Sequence, residues 1–175
     1  MKKLLSCLIP IILLFSACSQ SPTRIDSVSH EIMGGAITVP EGTSAFASAV
    51  FEAADEAVNQ VATKTAKKKP EFISFNFSGD VLLSNAEKES LINAFSVYGI
   101  EITQGKRTDL ADQDRGFTVG FDSIQNHQVS DCDLTVPVQV YYGRYVYTYC
   151  ADFKLSKGKY VLFRFELLER NRHVF

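Results

Sequence analysis

Apolar residues recur at helical spacing in the first half of the chain. After Thr43 or Ser44, either of which suits a helix N-cap, apolar residues return every three or four positions as Phe46, Val50, Ala53, Ala54, Ala57, Val58 and Val61. This pattern predicts a long Ala-rich helix that Pro70 ends. Its small side chains favour close packing on a sheet or on another helix.

A second helix is predicted between two strands. Ser84-Asn85-Ala86-Glu87 matches a capping box, a stripe of Leu91, Ile92, Phe95 and Tyr98 follows, and Gly99 suits the position after the helix. Alternation of Ile73, Phe75 and Phe77 within Glu71–Ser78 predicts the strand before this helix. Ile100–Thr103 is predicted as the strand after it.

The last third of the chain is rich in predicted strands. Phe117, Val119 and Phe121 alternate, and strands are predicted over Leu134–Tyr142, Arg144–Phe153 and Tyr160–Leu168, the last two joined by a turn at Lys157-Gly158. Short turns favour antiparallel pairing. We therefore predict an α+β fold in which an Ala-rich N-terminal helix precedes a small, mostly antiparallel sheet packed against one or two helices, with one disulfide. The predicted domain covers residues 44–170, and residues 171–175 form a tail.

The composition excludes two classes of protein. Hydrophobic residues make up 46% and charged residues 22% of the 175 residues, which is not the composition of a disordered chain. Lys and Arg number 18 against 20 Asp and Glu, a formal net charge of −2. Because nucleic-acid binding depends on a basic surface, we expect no nucleic-acid partner.

The N-terminus has the organisation of an export signal. Lys2 and Lys3 precede a largely apolar run from Leu4 to Phe15, which is too short to span a bilayer core of about 30 Å. Phe15-Ser16-Ala17-Cys18 resembles the bacterial lipobox. The resemblance implies removal of residues 1–17, acylation of Cys18 and a tether over residues 18–43. Ser19, in place of an Asp retention signal, implies delivery to the outer membrane, facing the periplasm. An ordinary secretory signal cut nearby is the alternative.

Cys132 and Cys150 are the two cysteines left in the exported domain. Because the periplasm is oxidising, we predict that they form a structural disulfide. A two-residue turn at Gly143-Arg144 would pair Tyr142 with Tyr145 and set Cys150 opposite Pro137. Alternatively, one strand runs through Gly143 with a bulge. The sequence does not choose between these registers.

No arrangement of residues indicates catalysis or a cofactor. The chain lacks Gly-x-Ser-x-Gly, His-Glu-x-x-His and P-loop motifs, and His30, His127 and His173 are scattered in the tether, a loop and the tail. Asp131, Asp133 and Asp152 flank the cysteines and suggest calcium ligands, but solvated loop carboxylates are the simpler interpretation. We predict a non-enzymatic protein without metal, cofactor or small-molecule substrate.

Five tyrosines are concentrated around Gly143. Tyr145, Tyr147 and Tyr149 alternate along one predicted strand, with Tyr141 and Tyr142 on the strand before it. Tyr141, Tyr145, Tyr147 and Tyr149 are candidates for a partner-binding surface, because tyrosine is favoured at protein interfaces. Ordinary aromatic packing on a sheet is an equally good interpretation.

Two resemblances bear on function. The order of elements resembles the TrbH-type conjugal-transfer lipoproteins, through Phe95-Ser96-Val97-Tyr98-Gly99-Ile100-Glu101-Ile102 and Gly116-Phe117-Thr118-Val119-Gly120-Phe121. It implies a structural or binding component of a type IV secretion apparatus, held to the membrane by lipid and contacting other envelope proteins. Tyr147-Thr148-Tyr149-Cys150 with Phe153 resembles the C-type lysozyme inhibitor lipoproteins, so the alternative is a lipoprotein that binds a lysozyme or a competitor's toxin.

Overall fold

The computed structural model confirms an α+β fold with two helices and one mixed sheet. It describes residues 32–65, 69–77, 82–105, 114–121, 125–126 and 131–172. The helices are α1 (Ala45–Thr65) and α2 (Asn85–Phe95), and a 3-10 turn (Ser96–Tyr98) follows α2. The strands are β1 (Phe72–Asn76), β2 (Glu101–Gln104), β3 (Gly116–Phe121), β4 (Gln125–Asn126), β5 (Leu134–Tyr142), β6 (Tyr145–Ser156) and β7 (Lys159–Arg172).

The sheet is parallel at one end and antiparallel at the other. Its order is β2-β1-β3-β5-β6-β7, and β4 pairs with β5 beside this path. β1 is parallel to both β2 and β3, whereas the pairs from β3 to β7 are antiparallel. Strands β1 and β2 are parallel because the connection between them passes through α2 and returns to the same end of the sheet.

Helix α1 covers the antiparallel end of the sheet. It contacts β5 and β7 and, less extensively, β6 and β3. Strand β5 alternates as predicted for a half-buried strand, with Leu134, Val136, Val138 and Val140 fully buried on the face that we call the inner face. The buried side of α1 consists largely of alanine and valine, so the helix axis lies close to the strands. Neither described helix is both long and apolar enough to cross a membrane.

The described residues ahead of α1 also contribute to the core. Met33 is buried, and Ile32, Ile37 and Val39 pack against the same cluster. These residues fall within the range that the sequence assigned to the tether. Packed structure therefore begins before residue 44, because apolar side chains there find uncovered apolar surface beside α1.

The predicted capping box at the start of α2 is confirmed. The Ser84 side chain accepts a hydrogen bond from the backbone of Glu87, and the Glu87 carboxylate accepts one from the backbone of Ser84. Glu87 also accepts a 2.6 Å hydrogen bond from Ser44, which caps Ala47 at the start of α1. The bond from Ser44, followed by those from Ser84, lowers the pKa of Glu87, so one carboxylate joins the two helix N-termini.

A buried polar group joins α1 to the 3-10 turn. The Tyr98 hydroxyl donates to a carboxylate oxygen of Asp55 and accepts from the Asn59 amide at 3.0 Å. All three side chains are less than a tenth exposed. Burial, and then the adjacent Asp55 charge, raise the pKa of Tyr98, so this phenol stays protonated and remains a donor.

The hairpin turns fix the register of the last three strands. Tyr142 pairs with Tyr145 and Cys150 with Pro137. Of the two registers that the sequence allowed, the one set by a two-residue turn is therefore correct. Gly143 supplies its positive φ of 59°. The turn predicted at Lys157-Gly158 is confirmed, with positive φ at both residues. Two bulges in β7 add one residue each, at Phe163 and at Leu168, relative to β6.

Candidate functional site

The four candidate tyrosines do not form one surface. Tyr145, Tyr147 and Tyr149 share the inner face of β6, but Tyr149 is 1% and Tyr147 3% exposed, against 38% for Tyr145. Tyr141 lies on the opposite face, where its ring lies over Gly120 and its hydroxyl donates to Gln139 at 2.9 Å. Tyr147 and Tyr149 therefore pack in the core, as the second interpretation of the sequence has it, while a partner-binding role stays a prediction.

The end of α1 explains which tyrosine is exposed. Tyr149 and Tyr147 lie beneath the helix, while Tyr145 lies next to the tight turn, beyond the helix end at Thr65. Tyr142 faces the same side and packs edge-to-face on Phe117, with ring centroids 5.2 Å apart. The sheet therefore extends past its covering helix and leaves an aromatic floor.

A groove of about 700 Å³ lies over this floor. We call it the tyrosine–arginine groove. It is lined by residues from the end of α1, the β5–β6 turn, the end of β7 and the residues before β3: Lys64, Thr65, Asp114, Tyr142, Gly143, Arg144, Tyr145, Tyr147, Leu167 and Arg170. Its volume lies within the range of pockets that bind small ligands or a few side chains of a partner.

Arg170 lies over the aromatic floor of the groove. Its guanidinium carbon lies 4.0 Å from the ring centroid of Tyr145 and 5.4 Å from that of Tyr147. Pairing of Arg170 with Tyr147 across the β6–β7 ladder places it there. Contacts of this kind contribute about 0.5–1 kcal/mol at exposed sites. Contact with Tyr145 and Tyr147 thus favours a position of the guanidinium over the two rings.

The charged side chains that line the groove are mainly cationic. Lys64, Arg144 and Arg170 line it, and Asp114 is the single carboxylate among the described lining residues. Within the described ranges, none of these cations forms an ion pair with a carboxylate. The groove therefore has the opposite sign to the whole chain, whose net charge is −2.

Tyr142 remains a hydrogen-bond donor in the groove at neutral pH. Burial, followed by the charge of Asp114, raises the pKa of Tyr142. Outside the lining, burial also raises the pKa of Tyr149, whose buried hydroxyl has no hydrogen-bond partner in the described part of the chain. The site therefore offers cations, hydroxyl donors and aromatic surface, which suits binding of an acidic group.

The two cysteines lie beside one carboxylate on the outer face of the sheet. We call the group Cys132, Thr135, Cys150, Asp152 and Arg164 the thiol–carboxylate cluster. The Cys150 sulfur lies 3.6 Å from Asp152 Oδ1, which accepts a 2.6 Å hydrogen bond from Thr135, and the Cys132 sulfur lies 3.4 Å from the Thr135 hydroxyl. No disulfide joins the two cysteines in the structure, in contrast to the prediction from the sequence.

The environment of Cys150 makes it a poor nucleophile. Burial, and then the negative charge of Asp152, raise the pKa of its thiol to about 11. At neutral pH the group is almost entirely protonated, whereas the thiolate is the reactive form. The arrangement does not resemble an activated catalytic cysteine.

Asp152 forms the one strongly bonded ion pair of this cluster. Burial opposes its ionisation, but hydrogen bonds from Thr135 and Arg164, together with the Arg164 charge, hold the pKa of Asp152 below its usual value. Arg164 Nη2 lies 2.5 Å from its carboxylate. A lowered pKa means that the ionised carboxylate stabilises the fold above about pH 4, and that this contribution is lost as the pH falls through the folded-state value.

Asp152→Asn is therefore expected to destabilise the protein in a pH-dependent way. We expect a loss of about 1 kcal/mol at pH 7, because the amide cannot pair with the Arg164 charge, and a smaller loss at pH 3. Urea unfolding at the two pH values measures the difference. Glu166→Gln is the matched control, since Glu166 is an exposed partner 3.8 Å from the same arginine. An equal loss for Asp152→Asn at both pH values would contradict the assignment.

The remaining candidates from the sequence are separate from the groove. The Asp133 carboxylate accepts a 2.7 Å hydrogen bond from the backbone of Leu155, and Asp152 pairs with Arg164. Among the described residues, no group of three or more His, Cys, Asp or Glu side chains is arranged to hold a metal ion. Cys18, the signal segment and the three histidines lie outside the described residues.

Sequence reasoning did not select the cationic residues of the groove. Lys64 and Arg170 were visible only as members of two separate basic clusters. A regular hairpin that turns at Lys157-Gly158 pairs Arg170 with Tyr145. This pairing could have indicated that Arg170 lies beside the tyrosines. The bulges move it opposite Tyr147, on the same face.

No protein-family model, curated protein or solved structure matches this chain.

Proposed function

We propose that this protein is a lipid-anchored component of a bacterial envelope assembly, which it serves by binding another envelope protein. In this proposal Cys18 is acylated after removal of residues 1–17, and the α+β domain faces the periplasm from the outer membrane. The lipobox-like Phe15-Ser16-Ala17-Cys18 supports the anchor. The assembly that the sequence resemblance implies is a conjugal transfer (type IV secretion) apparatus.

The tyrosine–arginine groove is the observation that carries the binding function. It combines in one concavity an exposed aromatic ring, an arginine over that ring, and cations that pair with no carboxylate among the described residues. Tyrosine and arginine are enriched at interfaces. Tyrosine contributes a large contact area with few rotatable bonds, and arginine contributes several hydrogen-bond donors. A binding role accounts for an arginine that is held in place yet pairs with no carboxylate in the described part of the chain.

Disulfide formation between Cys132 and Cys150 is a finer part of the proposal. Both thiols belong to the thiol–carboxylate cluster, and export would bring them into an oxidising compartment. The bond would tie the segment before β5 to the middle of β6. Closing a loop of this size stabilises a domain by about 3 kcal/mol in the chain-entropy model.

The test of the binding function is cross-linking in envelope preparations. Cells producing the full chain are treated with a short amine-reactive cross-linker, and captured proteins are identified by mass spectrometry. For Tyr145→Ala we expect the specific cross-linked product to fall to about a tenth or less, because loss of an aromatic anchor costs about 2 kcal/mol. Tyr141→Ala, on the opposite face, is the matched control and should retain the product.

The anchor is tested in the same preparations. Cys18→Ala should lose incorporated fatty acid and leave the membrane fraction, whereas Tyr145→Ala should keep both. Recovery of secretion-system subunits supports the proposal, and recovery of a lysozyme or a toxin would instead support the inhibitor alternative. Cross-linking that is unchanged in Tyr145→Ala, with fatty acid absent from the wild-type chain, would overturn the proposal.

A further inference from the structure

Arg170 has the geometry of a preorganised carboxylate receptor. The guanidinium is planar with five N–H donors, and its carbon lies 4.0 Å from the ring centroid of Tyr145, while Arg170 forms no ion pair with a carboxylate among the described residues. Such a group binds a carboxylate through two parallel hydrogen bonds. Because the tyrosine rings already hold the arginine, little side-chain entropy is lost when an anion binds.

The surrounding charges favour an acidic occupant. Lys64 and Arg144 line the same groove, and within the described residues they, like Arg170, form no ion pair with a carboxylate. Among the described lining residues, three cations against Asp114 give the groove a local excess of positive charge on a chain whose net charge is negative. Charge complementarity of this kind selects an acidic partner and accelerates its association.

The shape of the groove favours a peptide over a membrane surface. The cations line a concavity of about 700 Å³ together with Leu167 and three tyrosines. A flat bilayer surface would contact protruding lysines, whereas a peptide can place a carboxylate and its neighbouring side chains inside the groove. The exposed ring of Tyr145 supplies the apolar contact.

We propose that the tyrosine–arginine groove binds an acidic peptide segment of a partner protein, with a carboxylate of that segment bound to Arg170. This inference rests on the proposed function, in which the groove is the docking site. It adds the chemistry of the partner. In this inference Lys64 and Arg144 interact with further negative charges at the ends of the bound segment.

The probe is a fluorescein-labelled peptide of six glutamates, with six glutamines as the uncharged counterpart. Fluorescence anisotropy with the full chain in non-ionic detergent should show binding of the acidic peptide alone, weakening as NaCl rises from about 0.05 to 0.5 M. Arg170→Gln should weaken binding about tenfold or more. Arg170→Lys should fail to restore it, because lysine lacks the bidentate donors.

Lys159→Gln is the matched control, because it removes one positive charge at the other end of the same strand, β7. Its affinity should equal that of the wild-type chain, and far-UV circular dichroism should show that every variant is folded. Equal weakening by Lys159→Gln would mean non-specific attraction and would overturn the inference.

Two further outcomes separate this inference from the proposed function. If the acidic peptide does not bind while Tyr145→Ala still loses its cross-linked partner, the acidic occupant is wrong and the docking groove stands. If both results are negative, both proposals fail. If the protein binds vesicles containing anionic phospholipid but not the peptide, and this binding depends on Arg170, the occupant is a lipid headgroup and the inference of an acidic peptide is wrong.

Discussion

Replacing Phe95 by alanine is expected to lower the free energy of unfolding by about 3–5 kcal/mol. Phe95 is fully buried, and its ring packs edge-to-face on Phe75 at 4.8 Å and on Tyr98 at 5.5 Å. Truncation would leave a cavity where α2 meets the parallel end of the sheet. It would also remove the packing that holds Tyr98 in position to bond with Asp55.

Urea unfolding followed by far-UV circular dichroism measures this loss. The chain has no tryptophan, so fluorescence offers a weaker signal. Val97→Ala is the control, because Val97 is 61% exposed only two residues further along, and we expect a change within about 0.5 kcal/mol. Comparable losses in both variants would show that the aromatic contact is not the source of stability.

If the protein is exported and oxidised as proposed, its reduction is expected to cost about 3 kcal/mol of stability. The reason is the proposed Cys132–Cys150 bond, whose loss returns conformational freedom to the unfolded chain. Cys150→Ser should show the same loss without reductant. Alkylation under denaturing conditions, followed by mass spectrometry, should find both cysteines protected in the oxidised protein.

The double variant Cys132→Ser with Cys150→Ser is the control for this experiment. Its unfolding midpoint should not respond to reductant, while that of the wild-type chain should fall. If both cysteines of protein taken from the periplasm are fully alkylated, and reductant leaves the midpoint unchanged, the disulfide does not form. The thiol–carboxylate cluster would then be stabilised by its hydrogen bonds and by the ion pair of Asp152 with Arg164, without a covalent link.

Local sequence signals predicted the individual elements well. The capping box at Ser84 and Glu87 and the two hairpin turns rest on interactions among neighbouring residues, so a short stretch of sequence contains the whole cause. The alternation in β5 likewise reports one buried face. Such patterns do not say which element covers that face or which strands become neighbours.

The candidate site could be predicted only in part for the same reason. Alternation placed Tyr145, Tyr147 and Tyr149 on a common face, yet their exposure depends on the end of α1, about 80 residues earlier in the chain. Arg170 lies on β7, which carries two bulges, and a periodic sequence pattern does not predict bulges. The bonds of Tyr98 to Asp55 and Asn59 join residues 43 and 39 positions apart.

By itself the sequence determined where most of the helices and strands form, where the hairpins turn and that the fold is α+β, because capping, turn geometry and hydrophobic periodicity act over a few residues. It did not predict the short strand β4 or the extension of β7 to Arg172. The tertiary structure alone decided that the sheet is parallel at one end, which tyrosines lie beneath α1 and that Lys64, Arg144 and Arg170 line one groove. These features arise from packing between distant segments, where the burial of one surface depends on the length and position of another.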